Sequence, residues 1–125
     1  MAFKHLFYAL PLVTVVGERV MVVHGGLCRA GHEPGYQRRS EAVSLAEVQG
    51  LSRARDIPGD IWARQDLIMS DLLWSDPHDG HGLMPNGRGG NTQMFGGDVT
   101  EEMLAREGLV LLVCVCVCVC VCVCV

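Results

Sequence analysis

The last dozen residues of this chain alternate strictly between cysteine and valine, from Cys114 to Val125. This segment holds six of the seven cysteines and inflates the hydrophobic content of 50%. A TG dinucleotide repeat in a gene encodes Cys-Val in every frame of that strand without meeting a stop codon, and such alternation is typical of low-complexity segments. We therefore interpret residues 114–125 as a translated repeat and expect residues 1–113 to supply the folded domain.

Two other interpretations of this end stay open. The apolar run Leu109–Val125 has 17 residues, the short limit for a membrane-spanning helix, but its β-branched residues and missing basic flank make a membrane partner unlikely in composition terms. Alternating thiolates on a strand share one face and can bind a metal. Unbroken valine between them instead favours aggregation through strand pairing.

The amino-terminal end superficially matches a signal peptide, because Lys4 and His5 precede the apolar run Leu6–Val16. Pro11 interrupts that run, and no small-x-small cleavage site follows it. We expect this end to be a buried segment of the folded domain.

Length and charge limit the possible classes of protein. A chain of 125 residues is long enough for one modest domain. Its net charge is -4 and its ten Lys and Arg residues are scattered, so there is no basic stripe to track a nucleic-acid backbone. Only Cys28 lies outside the repeat, which excludes a disulfide framework in the domain and fits a reducing compartment.

A short buried strand is predicted at Arg19–Val23, an apolar run bounded by Gly17 and by His24–Gly26. A preceding run, Leu12–Val16, is placed to pair with it across the glycine turn. The polar, glycine- and proline-containing stretch Leu27–Ser40 indicates a loop.

Helices are predicted on both sides of a glycine-rich stretch. Capping-box spacing at Ser44 and Glu47 opens a helix that we expect to reach about Arg55. Residues His78–Gly97 are mostly turn formers and indicate a functional loop or a disordered one. A last helix is predicted at Thr100–Ala105, ended by Gly108, with a strand at 109–113.

Three kinds of side chain are candidates for chemistry. His24 ends a predicted strand before two glycines, where an imidazole is well placed to bind a metal, although a structural hydrogen bond is the simpler role. Arg88 lies in a glycine-rich segment where its guanidinium can grip a phosphate, or remain a solvated loop residue. Asp71 and Asp76 flank a tryptophan and can orient water or a metal, or cap turns. The other histidines lack ligand-like spacing, and we interpret them as surface residues: His5, His32, His78 and His81.

Taken in order, five segments resemble the second half of the PPP family of serine/threonine protein phosphatases. The most specific is the heptad Asp71–Pro77, with the sequence Asp-Leu-Leu-Trp-Ser-Asp-Pro. The resemblance covers about Phe7 to Val113 and is closest to the branches that carry tetratricopeptide or EF-hand modules. The other segments are Leu10–Leu12, Val22–Leu27, Arg88–Gly90 and Phe95–Thr100.

The resemblance implies an α/β protein, a partial calcineurin-like metallophosphoesterase fold with a β-sandwich flanked by helices. It implies two divalent metal ions (manganese, iron or zinc), a phosphoprotein substrate, possible regulatory subunits and a cytoplasmic or nuclear location. By position in the family motifs, His24 is a metal ligand, Arg88 binds the substrate phosphate, and Asp76 supports the catalytic groove without touching the metals.

Departures from the family pattern bear on activity. The upstream motifs Gly-Asp-x-His-Gly, Gly-Asp-x-x-Asp-Arg-Gly and Gly-Asn-His-Glu are absent from the sequence, and Cys114 and Cys116 stand where the family has the arginine and histidine of Arg-Ser-His. One ligand cannot hold a two-metal centre in defined geometry. We expect this chain alone to be inactive; the alternative is a non-catalytic pseudo-phosphatase or protein-binding module that uses the surface around Trp74.

Overall fold

The computed structural model describes residues 2–30, 42–87 and 91–115. These residues form a mixed α/β arrangement of four helices and two three-stranded sheets. The helices are α1 (Ala2–Ala9), α2 (Leu45–Gln49), α3 (Arg64–Trp74) and α4 (Gly97–Glu107). The strands are β1 (Val13–Val16), β2 (Val20–Val23), β3 (Asp76–Pro77), β4 (Leu83–Pro85), β5 (Gln93–Phe95) and β6 (Leu111–Cys114).

The first sheet has the order β1-β2-β6. Strands β1 and β2 form the predicted antiparallel hairpin, whose two turn residues, Gly17 and Glu18, have positive φ angles of 58° and 59°. Such a turn matches the right-handed twist of the strands it joins. Strand β6 lies beside β2 in parallel, with Cys114 opposite Val23. The carboxyl ends of β2 and β6 therefore meet at one edge of the sheet.

The second sheet, in the order β3-β5-β4, corrects the expectation of a loop or disorder at His78–Gly97. Strand β5 pairs in parallel with β3 and antiparallel with β4. Its inward-facing side chains, Gln93 and Phe95, are buried. Strands of three residues are too short to show a periodicity in sequence, which is why turn-forming glycines dominated the prediction.

The helices follow their predicted signals at one end more closely than at the other. The Ser44 hydroxyl accepts the backbone N–H of Glu47 at 3.3 Å and caps α2, but the helix ends at Gly50 and not near Arg55. Helix α4 ends as expected at Gly108, which takes the left-handed conformation with φ 70°. Leu51, beyond the end of α2, is buried in the core in a non-helical conformation.

A single hydrophobic core joins both sheets to α3 and α4. The expectation of a buried amino-terminal segment is wrong for α1, where Phe3, Leu6 and Phe7 are 74%, 53% and 60% exposed. The apolar run specified a helix, but no described element covers its outer face. Core members from each layer include Met21, Leu72, Phe95, Val99 and Leu112.

None of the helices in the described ranges is long and apolar enough to cross a membrane. Cys114, the first residue of the repeat, is the last residue of β6. Residues 116–125 lie outside the described part of the chain, so their interpretation as a translated repeat stays a prediction.

Candidate functional site

His24 directly follows β2, and its side chain is exposed at the carboxyl edge of the first sheet. The backbone N–H of Val115 donates to the carbonyl of Val23 at 3.0 Å, so the ladder between β2 and β6 continues to this edge. The carboxyl edge of parallel strands is the usual position for ligands in α/β proteins. His24 is therefore placed as a binding residue rather than as a buried structural one.

The two glycines after His24 allow close packing inside the protein. A Cβ atom on Gly25 would lie 2.7 Å from the backbone carbon of Leu73, and one on Gly26 would overlap the ring of Phe95. The N–H of Gly25 donates to the carbonyl of Leu72 at 2.9 Å. These contacts fix the turn that carries His24 against the end of α3, which is a firmer reason for both glycines than the approach of a ligand.

Asp71 is fully buried and is bound by Arg29. Its carboxylate accepts the Arg29 backbone N–H at 3.1 Å, Nε–H at 3.0 Å and Nη2–H at 2.9 Å. The Arg29 side chain is only 12% exposed. Because both partners are shielded from water and joined by a two-pronged contact, this ion pair locks the segment after His24 onto α3.

Arg88 lies outside the described residues, but both ends of its loop are described. Asp76, in β3, accepts a hydrogen bond from Nδ2 of Asn86 at 2.6 Å, and the N–H of Asn86 donates to the carbonyl of Thr92 at 3.0 Å. At the far end, Nη1 of Arg29 donates to Oδ1 of Asn91 at 3.2 Å. Contacts from Asp76 and Arg29 thus fix the residues that flank the segment containing Arg88.

His78 and Asp98 stabilise the turn before β4. The Nδ1 atom of His78 accepts the N–H of Gly80 at 2.9 Å, and its Nε2 lies 3.1 Å from the carbonyl oxygen of Gly82. The Gly82 N–H donates to the Asp98 carboxylate at 2.8 Å, and this bond is the main cause of a lowered Asp98 pKa. His78 is therefore a structural residue, half-buried rather than on the surface.

The described residues do not by themselves fit a two-metal centre. Within residues 2–30, 42–87 and 91–115, no group of three or more His, Cys, Asp or Glu side chains is placed to hold a metal ion. His24 stands as a single candidate ligand, and Asp71 is committed to Arg29. We derive no catalytic step through a metal from this chain.

Arg29 is the residue that sequence reasoning missed. It contacts Asp71, 42 positions away, and Asn91, 62 positions away. No spacing rule connects residues so far apart in sequence. The available signal was indirect, since a buried acidic residue in an otherwise apolar helix requires a cationic or hydrogen-bonding partner.

The sequence matches the calcineurin-like phosphoesterase family over residues 1–115, and the chain belongs to that family. Membership confirms the predicted α/β fold and the predicted class of hydrolases, and the family implies divalent metal ions.

Its relatives are serine/threonine protein phosphatases, as the heptad indicated. Serine/threonine-protein phosphatase T of Trypanosoma brucei brucei is 37% identical over 111 residues, which cover 89% of this chain and 20% of that protein. Serine/threonine-protein phosphatase 5 of Solanum lycopersicum is 35% identical and is covered over 17% of its length. The chain thus spans at most about a fifth of either relative.

The fold comparison agrees. A solved protein serine/threonine phosphatase from Saccharomyces cerevisiae, described as similar to human phosphatase PP5, superposes with a TM-score of 0.61 at 28% identity. The match covers 84% of this chain and 27% of that structure.

Proposed function

We propose that this chain is part of the catalytic domain of a serine/threonine protein phosphatase, which hydrolyses phosphoserine and phosphothreonine in proteins. The observation that carries the proposal is the shared carboxyl edge of β2 and β6, where His24 is exposed beside the continuing ladder at Val115. The phosphatase relatives, aligned over 89% of the chain, support the same assignment.

Three residues have proposed roles. His24 supplies one metal ligand, and Arg88 binds the phosphoryl oxygens of the substrate through paired, charge-assisted hydrogen bonds. Asp76 holds Asn86 at 2.6 Å and so positions one end of the loop that contains Arg88. In such enzymes two divalent metals, here manganese, iron or zinc, provide a water nucleophile and neutralise charge on the phosphoryl group.

We further propose residues 1–113 as the phosphatase portion and residues 114–125 as the repeat. Because the described residues offer one candidate metal ligand, the chain by itself should show no turnover with manganese above a metal-only blank. Phosphoproteins are the proposed substrates, and regulatory subunits are possible partners through the remainder of the domain.

The test uses a restored enzyme, in which the three upstream family motifs are joined to this chain and Arg-Ser-His replaces the start of the repeat. With a phosphoserine peptide, Arg88→Ala should lower the rate about 30- to 1000-fold, since comparable electrostatic stabilisers contribute roughly 2–4 kcal/mol. Arg88→Lys, which keeps the charge but loses the planar fork, is the matched control and should recover only part of the rate.

His24→Ala should behave differently from the arginine variant. Losing one ligand weakens metal retention, so excess manganese should partly restore the rate, and metal content after dialysis should fall. An active restored enzyme whose kinetics are unchanged by Arg88→Ala would refute the role of Arg88. Turnover by the chain alone, abolished by His24→Ala, would refute its proposed inactivity.

A further inference from the structure

A cleft between the segment before α3, the exposed side of α3 and the start of β5 has no role in the proposed chemistry. Its volume is about 420 Å³. Both tryptophans of the chain line it, with Trp62 87% exposed and Trp74 50% exposed. Large exposed aromatic side chains that share a cleft are typical of binding sites. The lining includes Asp60, Trp62, Ser70, Trp74, Asn91 and Thr92.

We propose that this cleft binds an extended peptide and takes an arginine or lysine side chain at the end formed by Asp60 and Trp62. The inference deepens the proposed function, on which only its description as a substrate subsite rests.

The shape of the cleft favours an extended chain. Trp62 precedes α3 and Trp74 ends it, so the eleven residues of the helix separate them. A helix of that length is roughly 16 Å long. An extended peptide of about five residues spans the same distance.

The charge of the cleft favours a cation. Asp60 is exposed and forms no ion pair with any described residue, whereas the described lining contains no lysine or arginine. A guanidinium or ammonium group binds over the face of tryptophan, and a nearby carboxylate adds to this attraction. The net charge of -4 acts in the same direction at longer range.

The end of the cleft that takes the cation is held in place before any ligand arrives. Asp66 accepts the backbone N–H of Trp62 at 3.1 Å and that of Ala63 at 2.8 Å, and it also pairs with Arg55. Asp66 is itself buried. A binding segment that is already ordered loses less conformational entropy when it binds.

The opposite end adjoins the proposed catalytic edge. A Cβ atom on Gly25 would lie 2.8 Å from the backbone nitrogen of Trp74, so the turn that carries His24 touches the helix end that carries Trp74. A peptide in the cleft thus points its Trp74 end toward His24. The preferred substrates are phosphopeptides with a basic residue about five positions from the phosphorylated one.

The chain has two tryptophans, both in the cleft, so its intrinsic fluorescence reports on the cleft directly. The full chain, under reducing conditions, is titrated with acetyl-Gly-Gly-Arg-Gly-Gly amide and with the same peptide carrying citrulline, a neutral near-isostere of arginine. In Trp74→Phe the signal comes from Trp62 alone. Neither peptide contains phosphate, so the result does not depend on phosphatase activity.

We expect saturable fluorescence changes with the arginine peptide, retained in Trp74→Phe, and about 2- to 30-fold weaker binding of the citrulline peptide. Asp60→Asn should weaken the arginine peptide by up to about 5-fold, while Asp79→Asn, an equal change of charge at an exposed residue outside the cleft, should not. Equal affinities for arginine and citrulline, or no saturable change, would overturn the proposal. If the arginine preference holds but the restored enzyme is inactive on phosphopeptides, the cleft stands and the proposed function fails.

Discussion

Replacing Asp71 by asparagine tests whether the buried pair with Arg29 holds the site together. The substitution keeps the shape of the side chain and removes its charge. Asp71 is 0% exposed and accepts three N–H groups from Arg29. Removing one partner of a buried pair leaves the other charge uncompensated, at a cost of about 3–5 kcal/mol. Since domains of this kind have a free energy of unfolding of roughly 5–15 kcal/mol, the loss is large.

An exposed pair in the same protein supplies the matched control. Glu47 binds Arg64 with an Oε1–Nη2 distance of 2.8 Å, and the two side chains are 44% and 43% exposed. Glu47→Gln is the same carboxylate-to-amide change, but solvent screens the pair, so it should cost only about 0–1 kcal/mol. Salt should reduce the contribution of the exposed pair much more than that of the buried one.

The assay is urea unfolding followed by far-UV circular dichroism, on the chain shortened to residues 1–115 so that the repeat does not interfere. A double-mutant cycle with Arg29→Met and Asp71→Leu should give a coupling free energy of about 1–3 kcal/mol, because each single change leaves a group unpaired and the double change does not. If Asp71→Asn costs no more than Glu47→Gln, or if the coupling is zero, the pair does not fix the segment after His24.

Three further predictions rest on single contacts. Gly26→Ala should lower the free energy of unfolding by about 1–3 kcal/mol, because the new Cβ overlaps the buried ring of Phe95, and Phe95→Leu in the same chain should recover part of the loss in urea unfolding. Asp98 has a pKa below its ordinary value of 3.8, chiefly through the Gly82 N–H; its stabilising effect is present above that value and is lost as pH falls through the lower, folded-state pKa. Asp98→Asn should therefore flatten the loss of stability below about pH 5, and an unchanged pH profile would contradict this. Burial raises the pKa of Cys28 well above its ordinary value, so iodoacetamide followed by peptide mass mapping should label Cys28 far more slowly in the native chain than in urea.

Much of the edge that carries His24 was predictable, because local signals agree there. An apolar run with glycines on both sides specified β2, and Gly17 specified the hairpin turn before it. Gly108 likewise marked the end of α4. At such positions the backbone conformation depends on neighbouring residues alone, so the sequence contains the necessary information.

The rest depended on contacts between distant residues. The second sheet consists of strands of two and three residues, whose pairing is decided by partners elsewhere and not by periodicity. The apolar pattern of α1 predicted burial, but burial depends on what packs over a surface, and Phe3 remains largely exposed. The glycines after His24 suggested ligand approach, whereas their neighbours are Leu73 and Phe95.

The two acids of the heptad act on the same loop by different routes. Asp71, at the buried side of α3, orients Arg29, whose guanidinium reaches Asn91. Asp76, just past the helix end, reaches Asn86 directly. Because α3 ends between the two acids, their side chains leave the backbone at different places and bind opposite ends of the segment that contains Arg88. A spacing that looked like a pair of candidate ligands is explained as two supports for one phosphate-binding loop.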